Sequence, residues 1–171
     1  IRFYLIVTLF TYLNVSAYGQ EVDLVRLGYT KSEITSDQIG MAASPDGKFI
    51  AFVYRDKTIK IFDVTAGKFV KRFKGPYSGL FDVYLTSTGR IALITEREIQ
   101  LLDWKKESVI EKFILNEDAT KAAFCGTNNF LAIGQNGGAT SIFDLNNEKF
   151  VRQIIIGKHH VGALAFHPQG K

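Results

Sequence analysis

At 171 residues, with 46% hydrophobic and 22% charged residues, the chain has the composition of a globular protein with a sizeable core, which excludes a disordered polypeptide. A net charge of +4, scattered along the chain, is too small to argue by itself for nucleic acid. The single cysteine, Cys125, excludes an intrachain disulfide and leaves stability to packing.

The first element is an apolar run. Arg2 precedes Phe3 to Leu13, which has the length of a signal-peptide core and is short for a bilayer span. Small residues follow, offering cleavage after Ala17 or before Gln20. Residues 1–19 are therefore expected to be a signal peptide, with a buried strand or a membrane anchor as the other readings. On that basis the protein is expected to be secreted or extracytoplasmic (periplasmic or at the cell surface), with no stable membrane insertion after cleavage. Residues 20–38 form an arm. In it Glu21 to Leu27 is apolar at alternate positions and reads either as a plain N-terminal strand or as a strand that closes a ring.

From there the chain repeats. Ile61-Phe62-Asp63, Leu101-Leu102-Asp103 and Ile142-Phe143-Asp144 recur at intervals of 40 and 41 residues, and Phe69-Val70, Val109-Ile110 and Phe150-Val151 follow in step. A period of about 40–45 residues with short strands and tight turns predicts an all-β protein, a β-propeller of four-stranded antiparallel blades. In the first unit, residues 39–75, Met41-Ala42-Ala43 suits an innermost strand crowded near a central channel. Ser44-Pro45-Asp46-Gly47-Lys48 is a turn, with Pro presetting φ and Gly taking the left-handed position. Phe49 to Tyr54, Thr58 to Asp63 and Phe69 to Phe73 are the remaining strands. The second unit, 76–116, places strands at Val83 to Leu85, Ile91 to Thr95, Ile99 to Trp104 and Val109 to Leu115. The third, 117–157, places them at Ala122 to Phe124, Phe130 to Gly134, Thr140 to Leu145 and Phe150 to Ile156. There Asn128 stands where the other units carry Gly47 and Gly89, Asn being the next best residue for positive φ. A further unit begins at 158–171. Three to four blades fall short of the four to eight that close a ring, so the natural protein is expected to continue past Lys171.

These residues resemble the WD-repeat family. Ser44 to Lys48 and Phe166 to Lys171 are similar to its turn between the first two strands. Asp56 to Asp63 is similar to its stretch ending in Trp-Asp, with Phe62 in place of Trp. The resemblance covers Ile39 to Lys171, and the repeats are divergent: a Gly-His pair is approached only at Gly157-Lys158-His159-His160. It implies structural roles for Asp56, Phe62, Asp63, Asp103, Phe143, Asp144 and His160, and a function in scaffolding or recognition.

No catalytic, cofactor-binding or metal-ligating residue is assigned. Asp63, Asp103 and Asp144 fall one per blade and read as caps of the following turn, and Asp56 as an acceptor within its own turn. His159 and His160 are adjacent and point to opposite sides of an extended chain, which argues against a shared metal. Cys125 has no base beside it in sequence. Gly134 to Gly138 lacks a following helix and a Lys-Ser/Thr pair and reads as a hairpin turn, not a phosphate loop. The innermost strands at Met41, Val83 and Ala122 show no carboxylate for a channel site.

One asymmetry concerns charge. The turns joining strands one to two and three to four share a face, which carries Lys48, Lys68, Arg90, Lys105, Lys106, Lys149 and Lys171 against Asp46, Glu107 and Glu148. The first six of these cations form a candidate binding face, with solvated lysines balanced by the strand-ending Asp residues as the plainer reading. The resulting expectation is a secreted, non-enzymatic interaction scaffold, without cofactor. Its partner is a protein or peptide, on this face an acidic one, and no nucleic acid is expected. The alternative is a sensor or docking part of a larger secreted enzyme, such as a peptidase, with its catalytic domain beyond Lys171.

Overall fold

The computed structural model describes residues 37–86 and 88–167. The expected signal segment, the arm as far as Ser36 and the turn from Pro168 to Lys171 lie outside the described residues.

The described residues form twelve strands: β1 (Gln38–Ala43), β2 (Phe49–Tyr54), β3 (Thr58–Asp63), β4 (Lys68–Lys74), β5 (Leu80–Leu85), β6 (Arg90–Thr95), β7 (Glu98–Asp103), β8 (Ser108–Ile114), β9 (Ala119–Cys125), β10 (Phe130–Gln135), β11 (Ala139–Asp144) and β12 (Lys149–Ile155). They form three four-stranded antiparallel sheets in sequence order, β1 to β4, β5 to β8 and β9 to β12. Short turns permit only neighbouring strands to pair, which is why every sheet is a meander. The first strand of each sheet lies innermost, β1 against β5 and β5 near β9. This is a partial β-propeller of stacked blades.

The alternation of side chains in the second and third strands places apolar residues on both faces, so the middle blade packs against a neighbour on each side. Ala51, Val53, Ile59 and Ile61 of the first blade meet Val83, Leu85, Leu93 and Leu102 of the second in one cluster. Ile94, Ile99 and Leu101 of the second meet Leu131, Ile133 and Phe143 of the third in another. Each fully buried Leu or Ile contributes roughly 1.5–3 kcal/mol, against about 1 kcal/mol for a typical hydrogen bond. Blade-to-blade packing therefore dominates the stability of this region.

The blades also share two irregularities that period counting does not foresee. The innermost strands are bulged at Ile39, Phe81 and Thr120, where the register skips between Gln38 and Gly40, Leu80 and Asp82, and Ala119 and Lys121. The outermost strands are bulged at Val70, Ile110 and Val151. An extra residue bends and twists the strand at these points.

In the third blade the left-handed turn position belongs to Asn129 (φ 57°), not Asn128. Asn128 lies one residue earlier, and its Oδ1 accepts from the Phe130 N–H at 3.3 Å. Asn129 is the residue that must tolerate positive φ, and its side-chain Nδ2 donates to Asn146 Oδ1 at 3.1 Å.

Candidate functional site

The rim formed by the β1–β2 and β3–β4 turns, and their counterparts in the other blades, carries the six candidate cations. Each strand-ending Asp organises the turn that follows it. Asp63 Oδ1 accepts from the Ala66 N–H at 2.8 Å. Asp103 Oδ1 accepts from the N–H groups of Lys105 and Lys106 at 2.9 and 3.1 Å. Asp144 accepts from the N–H groups of Asn146 and Asn147 at 2.9 and 3.0 Å, and from Asn147 Nδ2 at 2.7 Å. Burial works to raise the Asp144 pKa, but these bonds to Asn147 and Asn146 together outweigh it, leaving the carboxyl below its ordinary value. Phe62 and Phe143 sit inside the blades, 2% and 3% exposed. Phe62 meets Phe69 edge-on at 5.3 Å, and Phe143 tilts against Phe113 at 5.0 Å.

The rim cations have local partners. Lys48 Nζ lies 3.7 Å from Asp46, and Lys106 Nζ 3.8 Å from Asp103. A hydrogen bond from the Ser44 hydroxyl holds the Asp46 carboxyl below its ordinary pKa. Lys68 and Lys149 stand in register opposite Asp63 and Asp144. Lys105 Nζ lies over the Trp104 ring, 5.7 Å from its centre. Arg90 is bound into the next blade, 2.6 Å from Glu148, with Nη1 donating to the carbonyls of Leu145 and Asn146. With the strand-ending Asp residues included, the six cations share this rim with Asp46, Asp63, Asp103, Glu107, Asp144 and Glu148. The structure thus gives Lys48, Arg90 and Lys106 carboxylate partners on this rim. Lys171 lies outside the described residues.

The opposite rim holds the β2–β3 turns and the crossovers between blades. Asp56 accepts from the N–H and the hydroxyl of Thr58, both at 2.9 Å, and from Lys74 Nζ at 2.8 Å. The Lys74 hydrogen bond, followed by those of Thr58, holds the Asp56 carboxyl far below the usual range. In the second blade Arg97 Nε donates to Asp118 of the crossover, and Arg97 Nη1 donates to the Asn116 carbonyl at 3.2 Å.

Three further placements bear on the site. His160 is exposed in the irregular segment after β12. The described residues supply no strand over it. Cys125 is buried, with its Sγ 3.2 Å from Thr127 Oγ1. It continues a series with Ser44 and Thr86, each a buried polar side chain at the start of its turn. Finally, the innermost strand β5 begins at Leu80, ahead of Val83, and so contains a carboxylate, Asp82. Its Oδ1 accepts from the Val83 N–H at 2.8 Å and its Oδ2 from the Tyr84 hydroxyl at 2.9 Å. Burial raises the pKa of Asp82, the two hydrogen bonds only partly opposing it. The alternation of β5 was the available clue, but an acidic residue at a strand start reads first as turn. Among the described residues no three His, Cys, Asp or Glu side chains are grouped to hold a metal ion.

No family profile matches the chain. It is 29% identical over 157 residues to the nuclear distribution protein PAC1 of Coccidioides posadasii, covering 77% of this chain and 33% of that protein. It is 31% identical over 106 residues to the probable U3 small nucleolar RNA-associated protein 18 of Schizosaccharomyces pombe, covering 59% of this chain and 20% of that protein. The chain therefore spans a third or less of the length of these relatives. They overturn the expected secretion, because proteins of nuclear distribution and of a nucleolar RNA point to an intracellular setting. An apolar run of eleven or so residues has the composition of a buried strand as well as of a signal core, which is why the run alone misleads. Three consecutive four-stranded blades and two WD-repeat relatives are consistent with a WD-repeat β-propeller family.

Proposed function

We propose that these blades act as a rigid, non-catalytic platform on which a protein partner docks, with the Lys-bearing turns as one contact surface. The observation that supports this most directly is the way Asp63, Asp103 and Asp144 each bind the N–H groups of the next turn. Loops held in one conformation lose less entropy on binding than free ones. Exposed Lys side chains on such turns steer and select a partner through charge complementarity without forming a reaction centre. The WD-repeat relatives support the same reading of a protein-interaction scaffold.

The test is affinity purification of the full-length protein from its own cells with and without ribonuclease, beside a variant carrying Lys68→Glu, Lys105→Glu and Lys106→Glu. A protein partner that survives nuclease and is lost from the variant is expected. A partner recovered only with intact RNA would replace this reading with a nucleic-acid one, consistent with the RNA-associated relative.

A further inference from the structure

The rim opposite the candidate lysines contains a hollow of about 410 Å³ where, among the described residues, two cations stand without a carboxylate. Arg55 and Lys57, from the β2–β3 turn, line it together with Ile39, Tyr77, Ser78 and Gly79. Both cations are exposed, and neither forms an ion pair among the described residues. The carboxylate between them in sequence, Asp56, is already taken by Thr58 and Lys74. Asp37 lies across from Arg55 and accepts its N–H through the main-chain carbonyl, at 2.7 Å, without a side-chain ion pair.

The neighbouring blade shows what this arrangement lacks. There the turn cation Arg97 meets Asp118, the last residue of the crossover before β9. The same crossover position before β5 is Gly79, at φ 66°, preceded by Ser78. The first crossover therefore presents a hydroxyl and no anion to two cations. Its hollow has an apolar side as well, formed by Leu80 and by Ile39, which is 36% exposed.

We propose that this hollow docks an acidic, partly apolar segment of a partner protein, whose carboxylate stands between Arg55 and Lys57 as Asp118 stands beside Arg97 one blade on. An apolar side chain next to that carboxylate lies on Ile39 and Leu80, while the Ser78 hydroxyl donates to the carboxylate's second oxygen. Charge complementarity selects the acidic segment, and the apolar wall distinguishes it from a bare anion. The contact is separate from the lysine-bearing rim and stands or falls independently of it.

The experiment measures fluorescence anisotropy of a labelled peptide of alternating Glu and Leu against the full-length protein at low and physiological salt. A peptide with Gln for Glu and a single-stranded RNA of equal charge serve as comparisons. Saturable, salt-weakened binding of the Glu-Leu peptide is expected, with the Gln peptide at least tenfold weaker. Arg55→Glu with Lys57→Glu should weaken binding by at least tenfold, whereas Arg72→Glu with Arg152→Glu, exposed cations of the outermost strands β4 and β12, should leave it unchanged. Ser78→Asp supplies the missing carboxylate from the chain itself and should block the peptide without loss of folding. Absence of peptide binding at millimolar concentration, equal loss with the Arg72 and Arg152 changes, or preference for the RNA would each overturn the proposal.

Discussion

Arg90 of the second blade and Glu148 of the third, 58 positions apart in sequence, lie with Nη2 and Oε1 2.6 Å apart. The same guanidinium donates through Nη1 to the carbonyls of Leu145 and Asn146 at 2.5 and 2.7 Å. One side chain therefore satisfies two carbonyls and one carboxylate of the adjacent turn. Its planar fork makes this possible, where an ammonium would present a single point charge.

Arg90→Ala should destabilise the protein by about 1–2 kcal/mol, given that the group is partly exposed and its bonds are charge-assisted. Arg90→Lys should recover only a minor part. Lys48→Ala, which breaks an exposed pair at 3.7 Å, should cost no more than about 0.5 kcal/mol. Urea unfolding of the three variants checks the ranking, and equal losses for Arg90→Ala and Lys48→Ala would remove the inter-blade role.

The strand-ending carboxylates should differ in importance. Asp144 makes three hydrogen bonds and is 7% exposed, whereas Asp63 has one at an exposed turn. Asp144→Ala is expected to cost about 1–3 kcal/mol, and Asp63→Ala less than about 1 kcal/mol. Thermal melts of the two single variants distinguish them.

Gly138 tests the packing of the segment after β12. It adopts φ 78°, and a Cβ there would lie 2.5 Å from the Gly157 carbonyl oxygen. Gly47 has a similar φ of 70° with nothing within 4 Å of its Cβ position. Gly138→Ala should therefore cost the left-handed strain of about 1–2 kcal/mol and a backbone displacement besides, whereas Gly47→Ala should cost the strain alone. Faster hydrogen exchange at Ile156 and Val161 is expected only in Gly138→Ala, because both N–H groups bond to the Gln135–Gly138 turn.

Asp82 carries a pH dependence of defined sign. Its folded pKa is raised, chiefly by burial, so the fold disfavours the ionised form. The protonated carboxyl then binds its proton more tightly folded than unfolded, and this group's contribution to stability falls as pH rises from the ordinary Asp value through the raised one. Relative to Asp82→Asn, which does not titrate, the wild-type protein should gain stability on acidification across that window. The comparison is made as a difference, because Asp46, Asp56 and Asp144 have lowered values and act in the opposite direction. A wild-type protein that loses stability relative to Asp82→Asn in that window would reverse the assignment.

Tyr77 is held in the crossover by a hydrogen bond from its hydroxyl to the Tyr54 carbonyl at 2.6 Å, with its ring 2% exposed. Burial, with a smaller contribution from Asp56, pushes its pKa up to about 12. Tyr77→Phe removes one of two donors to that carbonyl, which keeps the Lys57 N–H at 2.9 Å, and should cost about 0.5–1.5 kcal/mol. Ultraviolet titration of the folded protein should lose one late tyrosinate transition in this variant.

The repeat was legible because its signals are local. Asp46-Gly47 and the alternation through Ile59 and Ile61 act within a few residues, and β2 and β3 run from Phe49 to Tyr54 and Thr58 to Asp63, the spans read from those residues. His160 shows the opposite case, because its exposure after β12 depends on what packs over it, which the residues around it do not state. The balance of charge on the lysine-bearing rim was half legible. Each Asp was visible, but its pairing with Lys68 or Lys149 depends on the register of the β3–β4 and β11–β12 ladders.

By itself the sequence determined the strand period, the turn chemistry and the all-β class, because each depends on backbone preferences over four to ten residues. Only the tertiary structure decided that Arg90 joins two blades, that Asp82 lies in an innermost strand and that Arg55 and Lys57 face a hollow to which the described residues bring no carboxylate. Those facts depend on strand bulges and on contacts between residues tens of positions apart, for which a linear pattern carries no distance information.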